Sequence, residues 1–315
     1  MAFSSMKQRV DKIRADVLVT TRPFTRAFVV YMIALLASYL IVQLFRIANV
    51  QLSTTIWLSD GVDSFGVAAF PLFTLAEIFF FGPWMSVIMT LCFRKSMVFW
   101  KKCGLMPAKK SQILTYLFIV SILLMNTGLV TNRAFNIVSA MVKDFYDATT
   151  LGFDNYVFAY FLDELVGHHL MNAGMILFFL VMALAMPRDS SVLGQPAFLM
   201  NGGEKVLVLV PSVIYGVIFS YENLEGQSAV FSIVMLGILA GAMIVGIMMK
   251  KKGYAIGNRP FFTFIIIQLI VMAVFLLVWG ITLGTKPYYP FFYEPSELQN
   301  TRCFHLFLTK NQFRA

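Results

Sequence analysis

The sequence predicts an all-α fold, a polytopic bundle of about seven transmembrane helices, from two observations. Hydrophobic residues make up 59% of the 315 residues and charged residues only 13%, which is about half the charged fraction of a soluble globular protein. The chain also contains seven continuous apolar runs, and a helix needs about 20 apolar residues to cross a bilayer. Because apolar and polar residues do not alternate within the runs, the pattern is typical of helices rather than of barrel strands.

The seven runs divide the chain into three regions. A basic segment, residues 1–26, precedes the transmembrane domain 27–283, and an aromatic and polar tail, residues 284–315, follows it. The fifth run is short and contains Pro211, so a re-entrant passage is the alternative to a full crossing there. The predicted spans are 27–45, 67–93, 113–131, 156–186, 206–221, 229–249 and 261–283.

The distribution of Lys and Arg predicts a cytoplasmic N-terminus and a C-terminus that is extracellular or lumenal. With seven spans, eighteen Lys and Arg fall on one side of the membrane and seven on the other, and the richer side is cytoplasmic. The net charge of +9 therefore comes from residues that flank the spans, and no nucleic-acid partner is expected. The expected partners are the lipid bilayer, with anionic headgroups at the cytoplasmic face, and other membrane proteins. The charge bias is the same for a plasma membrane and an endomembrane.

Three further segments of the sequence have patterns that predict local structure. The segment 132–155 has apolar residues at helical spacing, which predicts a short amphipathic helix on the outer surface or a helical loop. Gly237 and Gly241 have the spacing of a helix-packing groove. The aromatic stretch 288–293 follows the last span, where aromatic rings favour the headgroup level.

The fourth run contains the one concentrated polar site of the chain. Asp163, Glu164, His168 and His169 lie within seven residues of an apolar span. Each ionisable group costs roughly 2.5–3.5 kcal/mol at the centre of a membrane helix. We therefore expect this polar group to face the bundle interior or a water-filled cavity.

Helical geometry brings most of these residues to one face. Glu164 and His168 are four residues apart, so they can ligate one metal ion together. Asp163 and Glu77 of the second run lie at a similar depth, so either is predicted as a third ligand or a catalytic base. The residues predicted to support the site are Asn172, His169 and Tyr160.

The site leaves three kinds of function open. The first is a metal-dependent membrane enzyme that acts on a lipid or a small apolar substrate, with Zn, Fe or Cu as the divalent metal. The second is a proton- or cation-coupled transporter that uses the same side chains. The third is a non-catalytic subunit of a membrane complex, in which the polar cluster is structural.

The sequence resembles two known families, but it lacks some of the histidines that each family's metal site needs. The seven-helix arrangement resembles the adiponectin-receptor side of the intramembrane zinc hydrolases, which implies histidine ligands on separate helices and a late His-x-x-x-His pair. This chain has only His168, His169 and His305. The Glu164-x-x-x-His168 pair is similar to the copper ligation of particulate methane monooxygenase-type subunits, whose further histidine is absent here. The sequence is therefore assigned to no family.

Overall fold

The computed structural model describes most of the predicted membrane domain. The described residues are 76–102, 106–145, 157–185, 202–248, 260–287 and 291–295, together with 29–30, 33–34, 36–38, 40–41, 51–52 and 70–71. Within this part of the chain, helices account for nearly all of the regular structure.

The helices begin and end close to the apolar runs. A short antiparallel pairing joins β1 (Gln51–Leu52) to β2 (Phe70–Pro71), with Gln51 opposite Pro71. Two helices start with a π-helical segment, Glu77–Phe81 before α1 and Phe161–Gly167 before α3. The α-helices are α1 (Gly82–Lys102), α2 (Ala108–Phe145), α3 (His168–Ala185), α4 (Gly202–Glu225), α5 (Ala229–Met248) and α6 (Pro260–Leu283).

Five helices of the described chain are long and apolar enough to cross a membrane, by length and composition. The helix α5 counts as a shorter apolar helix over Ala229–Val245. A helical, multi-pass architecture is thus supported, whereas the count of seven spans and the placement of the termini stay predictions. Most of the first predicted span lies outside the described residues. The five candidate spans are Glu77–Lys101, Ala108–Ser139, Val157–Ala185, Gly202–Glu225 and Phe261–Leu283.

Three helices extend beyond the predicted spans: α1 ends at Lys102 instead of residue 93, and α2 and α4 are also longer than predicted. The helix α2 continues to Phe145 without a break, because residues 132–145 contain neither Gly nor Pro to end it. Residues 132–145 of the predicted surface segment are therefore the end of α2, and residues 146–155 lie outside the described residues. The helix α4 is a candidate full crossing of 24 residues with Pro211 inside it, which favours a full crossing over a re-entrant passage.

Aromatic packing holds the bundle together at the end opposite the polar site. Phe179 of α3 is 1% exposed. Its ring centroid lies 6.3 Å from that of Tyr215 on α4, and 5.9 Å and 5.8 Å from those of Phe261 and Phe264 on α6. These contacts fix α3, α4 and α6 around one buried core.

Glycines bring α2 and the helix that carries the polar site into backbone contact. A Cβ on Gly128 would lie 2.6 Å from the carbonyl oxygen of Gly167, and a Cβ on Gly174 would lie 2.7 Å from that of Ser121. Such small residues allow a close helix crossing. In contrast, Gly237 and Gly241 have no other described atom within 4 Å of their Cβ positions. The described helices therefore do not occupy the predicted groove on α5, which stays a prediction.

Candidate metal centre

Three side chains of one helix meet at the polar site. Single ligand atoms of Asp163, Glu164 and His168 all lie within 4.8 Å of one another. His168 Nε2 lies 3.6 Å from Glu164 Oε2. A metal ion with ligands at about 2.1 Å holds those ligand atoms roughly 3–4 Å apart. The three side chains therefore need only small movements to bind one ion.

The π-helical segment Phe161–Gly167 brings two neighbouring carboxylates to the same side. In a regular α-helix, consecutive side chains diverge by about 100°. The wider turn of a π-helix reduces that angle, so Asp163 and Glu164 diverge less. Such segments are frequent at functional sites. The helix that contains this segment and α3, Val157–Ala185, is called the site helix below.

Two asparagines of α2 orient Asp163. The Nδ2 atom of Asn132 donates a hydrogen bond of 2.6 Å to Asp163 Oδ1, and Asn136 Nδ2 donates one of 3.0 Å to Oδ2. Each carboxylate oxygen has a second lone pair, so Asp163 can still accept a metal. Sequence analysis missed both asparagines because it ended the third span at residue 131. Their spacing of four residues was the signal available in the sequence.

The turn between α4 and α5 lies against His168. A Cβ placed on Gly226 would overlap the imidazole ring at Cγ and Nδ1. Glu164 reaches the same region, where its Oε2 atom is buried and makes no hydrogen bond to a described residue. A buried carboxylate oxygen needs a partner, and a cation at this position would supply one.

The same turn, Glu225–Ser228, contacts the site helix on both sides of His168, at a residue before it and at a residue after it in the chain. Gln227 Nε2 donates a hydrogen bond of 2.9 Å to the hydroxyl of Tyr160, and Asn172 Nδ2 donates one of 2.8 Å to Ser228 Oγ. Tyr160, Glu164, His168 and Asn172 follow one another at intervals of four residues. They therefore form one stripe of the site helix along which the turn lies. This turn was not predicted as part of the site.

Tyr160 belongs to a second polar network, which includes the C-terminal segment. Its hydroxyl donates a hydrogen bond of 3.3 Å to Glu294 Oε2, and Gln227 Nε2 donates one of 2.6 Å to Glu294 Oε1. Lys286 Nζ lies 4.0 Å from the same Oε1. Glu294 is 4% exposed, so the beginning of the predicted tail is part of the bundle. Tyr160 supports the site through the turn.

Asn172 and His169 bond to other parts of the bundle. Both hydrogens of the Asn172 amide are used, by Asn223 Oδ1 at 3.0 Å and by Ser228 Oγ. His169 Nδ1 lies 2.7 Å from the carbonyl oxygen of Leu165, and its ring centroid lies 5.2 Å from that of Phe231. Asn172 thus braces the turn, and His169 packs against α5.

Glu77 is not brought into the cluster. Arg133 holds its carboxylate from two sides, with Nε 2.5 Å from Oε2 and Nη2 3.2 Å from Oε1. Glu77 is 2% exposed, and a buried carboxylate of this kind is stabilised by a two-point arginine contact. The structure therefore gives Glu77 a structural partner, and the ligand group contains Asp163, Glu164 and His168 without it.

Carboxylates outnumber basic groups around the cluster. Glu164 interacts electrostatically with Asp163, Glu225 and Glu294, and with the cation Arg133. Arg133 is already engaged by Glu77. The closeness of Asp163 and Glu164 to each other and to further carboxylates favours the binding of a cation.

A small cavity lies further along the site helix than the cluster, and its wall includes none of the three cluster residues. Its volume is about 80 Å³. Its wall includes Met171, Asn172 and Met175 of the site helix. Around the helix axis, these residues point within about 60° of His168, and they lie about 5–10 Å further along the axis. Its lining is mostly apolar and includes four methionines, Met85, Met125, Met171 and Met175. Its polar lining consists of Glu77, Arg133, Asn172, Tyr215 and Glu222.

No protein-family model matches the chain, and no curated protein or solved structure matches it. The chemistry of the site is therefore the feature of this chain that bears on its function.

Proposed function

We propose that the chain is a metal-dependent membrane enzyme that acts on a lipid or a small apolar substrate. One observation carries the proposal: a carboxylate pair and an imidazole, Asp163, Glu164 and His168, converge to within 4.8 Å inside an apolar helix. The mixture of imidazole and carboxylate suits Zn, Fe or Cu. Asn132 and Asn136 orient Asp163 by hydrogen bonds. Metal ligands in proteins are commonly oriented by such hydrogen-bonding neighbours.

The number of ligands and the neighbouring cavity favour catalysis over a purely structural ion. Three protein ligands leave a coordination position for water or substrate, whereas structural zinc sites are usually closed by four. A bound divalent ion would supply an activated water or polarise a substrate oxygen. The apolar cavity lies about 5–10 Å further along the same helix face, where it would hold an apolar part of the substrate.

The test is elemental analysis of the detergent-purified protein, with paired histidine variants. His168→Ala is expected to lose the metal. His169→Ala is the matched control, because His169 is the next residue and contacts Leu165 and Phe231 instead of the cluster. Near-stoichiometric metal in the wild type and in His169→Ala, with none in His168→Ala, would support the proposal. A wild-type protein without metal after growth and dialysis with Zn, Fe or Cu would refute it.

The surplus of carboxylates favours one second candidate, a proton- or cation-coupled transporter. Glu164, Glu225 and Glu294 interact electrostatically at the end of the bundle that holds the cluster, and such groups form ion pathways in transporters. The measurement is pH-dependent flux into proteoliposomes. Flux that is lost in Asp163→Asn, from protein that contains no metal, would select transport.

We further propose the membrane orientation that the positive charges predict. The N-terminus would be cytoplasmic, and seven spans would place the polar site in the outer half of the bilayer. Described basic residues fit this arrangement, because Lys101, Lys109 and Lys205 lie near the helix ends opposite the site. These residues would contact anionic lipid headgroups. Accessibility of single engineered cysteines at residues 109 and 287 to a membrane-impermeant reagent would test the orientation.

A further inference from the structure

The side-chain amide of Asn132, on α2, is only half satisfied. Its Nδ2 atom donates a hydrogen bond of 2.6 Å to Asp163 Oδ1. Its Oδ1 atom is buried and accepts no hydrogen bond from any residue that the structure describes. Asn132 is 1% exposed, and a buried side-chain oxygen normally has a partner. The Asn132 oxygen therefore marks a place where a bound group is needed.

The same oxygen lies beside the candidate metal centre. The nitrogen and the oxygen of one amide are roughly 2.3 Å apart, so Asn132 Oδ1 lies within about 5 Å of Asp163 Oδ1. Asn132 also packs directly on Gly167, where a Cβ would lie 2.7 Å from the Asn132 backbone nitrogen. Gly167 directly precedes His168 and follows Glu164 by three residues. Asn132 thus lies against the turn of the site helix that carries the other ligand candidates.

A second buried oxygen of the cluster is in the same condition. Glu164 Oε2 makes no hydrogen bond within the described part of the chain, and it lies 3.6 Å from His168 Nε2. Amide oxygens, carboxylate oxygens and imidazole nitrogens are all common metal ligands in proteins. One ion between α2 and the site helix would supply a partner to both orphaned oxygens.

We propose that Asn132 Oδ1 is a fourth ligand of the metal ion, so that the ion joins α2 to the site helix. The amide then has two roles, because its nitrogen orients Asp163 while its oxygen binds the ion. The inference rests on the metal site of the proposed function and adds to it a ligand from a second helix.

A fourth ligand narrows the choice of metal. Three of the four ligands would be oxygens, and carboxylate and carbonyl oxygens suit Mn²⁺, whereas imidazole suits Fe²⁺. Four protein ligands would close a tetrahedral zinc site. An octahedral ion with the same four ligands keeps two positions for water or substrate. The proposal therefore selects six-coordinate Fe²⁺ or Mn²⁺, at which catalysis stays feasible.

The test is the affinity of the detergent-purified full-length protein for Mn²⁺, measured by competition with a chelator. Asn132→Ala removes the ligand and is expected to weaken Mn²⁺ binding by about 100-fold or more. Asn132→Asp keeps an oxygen at the same place and is expected to bind Mn²⁺ within about tenfold of the wild type. An asparagine that only orients Asp163 gives a different result, because a carboxylate has no hydrogen to donate. Binding by Asn132→Asp that is no tighter than that of Asn132→Ala would overturn the proposal.

Asn136 provides the matched control, because its amide bonds to the other oxygen of the same carboxylate, Asp163 Oδ2. Asn136→Asp loses that hydrogen bond and brings a further negative charge to Asp163. It is therefore expected to bind Mn²⁺ more weakly than Asn136→Ala, which is the reverse of the order at Asn132. The same order at both residues would show that Asn132 is not a ligand.

A measurement on the wild type decides the question if a variant does not fold. Protein labelled with ¹³C at the side-chain carbonyl of asparagine is loaded with Mn²⁺ and studied by pulsed EPR. A ligating amide is expected to give a strong ¹³C hyperfine coupling, because its carbonyl carbon is bonded to the atom that binds the ion. A Mn²⁺-loaded wild type without this coupling would refute the fourth ligand.

The outcomes separate this inference from the proposed function. If the wild type holds a metal that His168→Ala loses, but the ¹³C coupling is absent, only the fourth ligand fails. If the wild type binds Zn²⁺ and not Mn²⁺, the six-coordinate site fails and the metal proposal stands. If the wild type binds no ion, both proposals fail.

Discussion

The imidazole of His168 lies directly on the backbone of Gly226, so that even a methyl group at residue 226 would overlap the ring. The position of one predicted metal ligand is thus set by the turn between α4 and α5. Because ligands must be held within a fraction of an ångström for tight metal binding, a residue that was absent from the predicted site controls its geometry.

Gly226→Ala is expected to displace His168 and to lower metal affinity about 10–100-fold. The cause is steric, because Gly226 does not have a positive φ and alanine can adopt its backbone conformation. The measurement is competition for the metal with a chelator of known affinity. Gly237→Ala is the control, since its Cβ would meet no other described atom within 4 Å. Equal affinity in the two variants would show that the turn does not position His168.

Asn136→Ala is expected to weaken metal binding about tenfold with little effect on folding. Its amide orients Asp163 Oδ2, and Asn136 itself is exposed, so its replacement leaves no cavity. The matched control is Asn126→Ala, on the same helix α2, which removes a hydrogen bond to Ser86 of α1. Chelator competition would contradict the prediction if Asn126→Ala weakened binding as much as Asn136→Ala.

Glu77→Gln is expected to destabilise the fold and to leave the metal in place. It would remove the charge that balances Arg133, and breaking a buried ion pair typically costs about 3–5 kcal/mol. Thermal unfolding of Glu77→Gln, Arg133→Gln and the double variant measures the coupling between the two residues. The double variant is expected to be more stable than Glu77→Gln alone. Loss of the metal from folded Glu77→Gln would instead show that Glu77 takes part in metal binding.

Gly128→Ala is expected to force α2 away from the site helix, because its new Cβ would meet the backbone of Gly167 and Met171. Close-packed membrane helices separate when such glycines are enlarged. The expected result is a lower Tm and less monodisperse protein in size-exclusion chromatography. Gly241→Ala, on the open face of α5, is expected to behave as the wild type. A wild-type Tm for Gly128→Ala would contradict the crossing described here.

The sequence predicted the helical fold and the place of the cluster because both depend on strong local signals. Long apolar runs predict spans, and charged residues inside a run predict an interior site. The structure adds that the helices of the second, third and fourth runs lie together, since Arg133 pairs with Glu77 while the neighbouring Asn132 bonds to Asp163.

The remaining features depend on contacts between distant residues, which no local pattern contains. Glu77 was predicted as a site residue from its depth alone, and its partner Arg133 lay beyond the predicted end of the third span. Gly226 is an ordinary turn glycine in the sequence, and only its approach to His168 gives it a role. Glu294 lies in a stretch that was predicted as a tail, and its burial depends on Tyr160 and Gln227.

The order of these contacts along the chain has a consequence for biosynthesis. Asn132 and Asn136 precede the site helix, whereas Gln227 and Glu294 follow it. The α2 partners of Asp163 are therefore synthesised before Asp163 itself, whereas the turn that contacts Tyr160 and His168 is synthesised after them. Each unsatisfied ionisable group costs roughly 2.5–3.5 kcal/mol in the bilayer. The nascent site helix is thus expected to enter the lipid as a pair with α2, and the site closes only when the last helix has been synthesised.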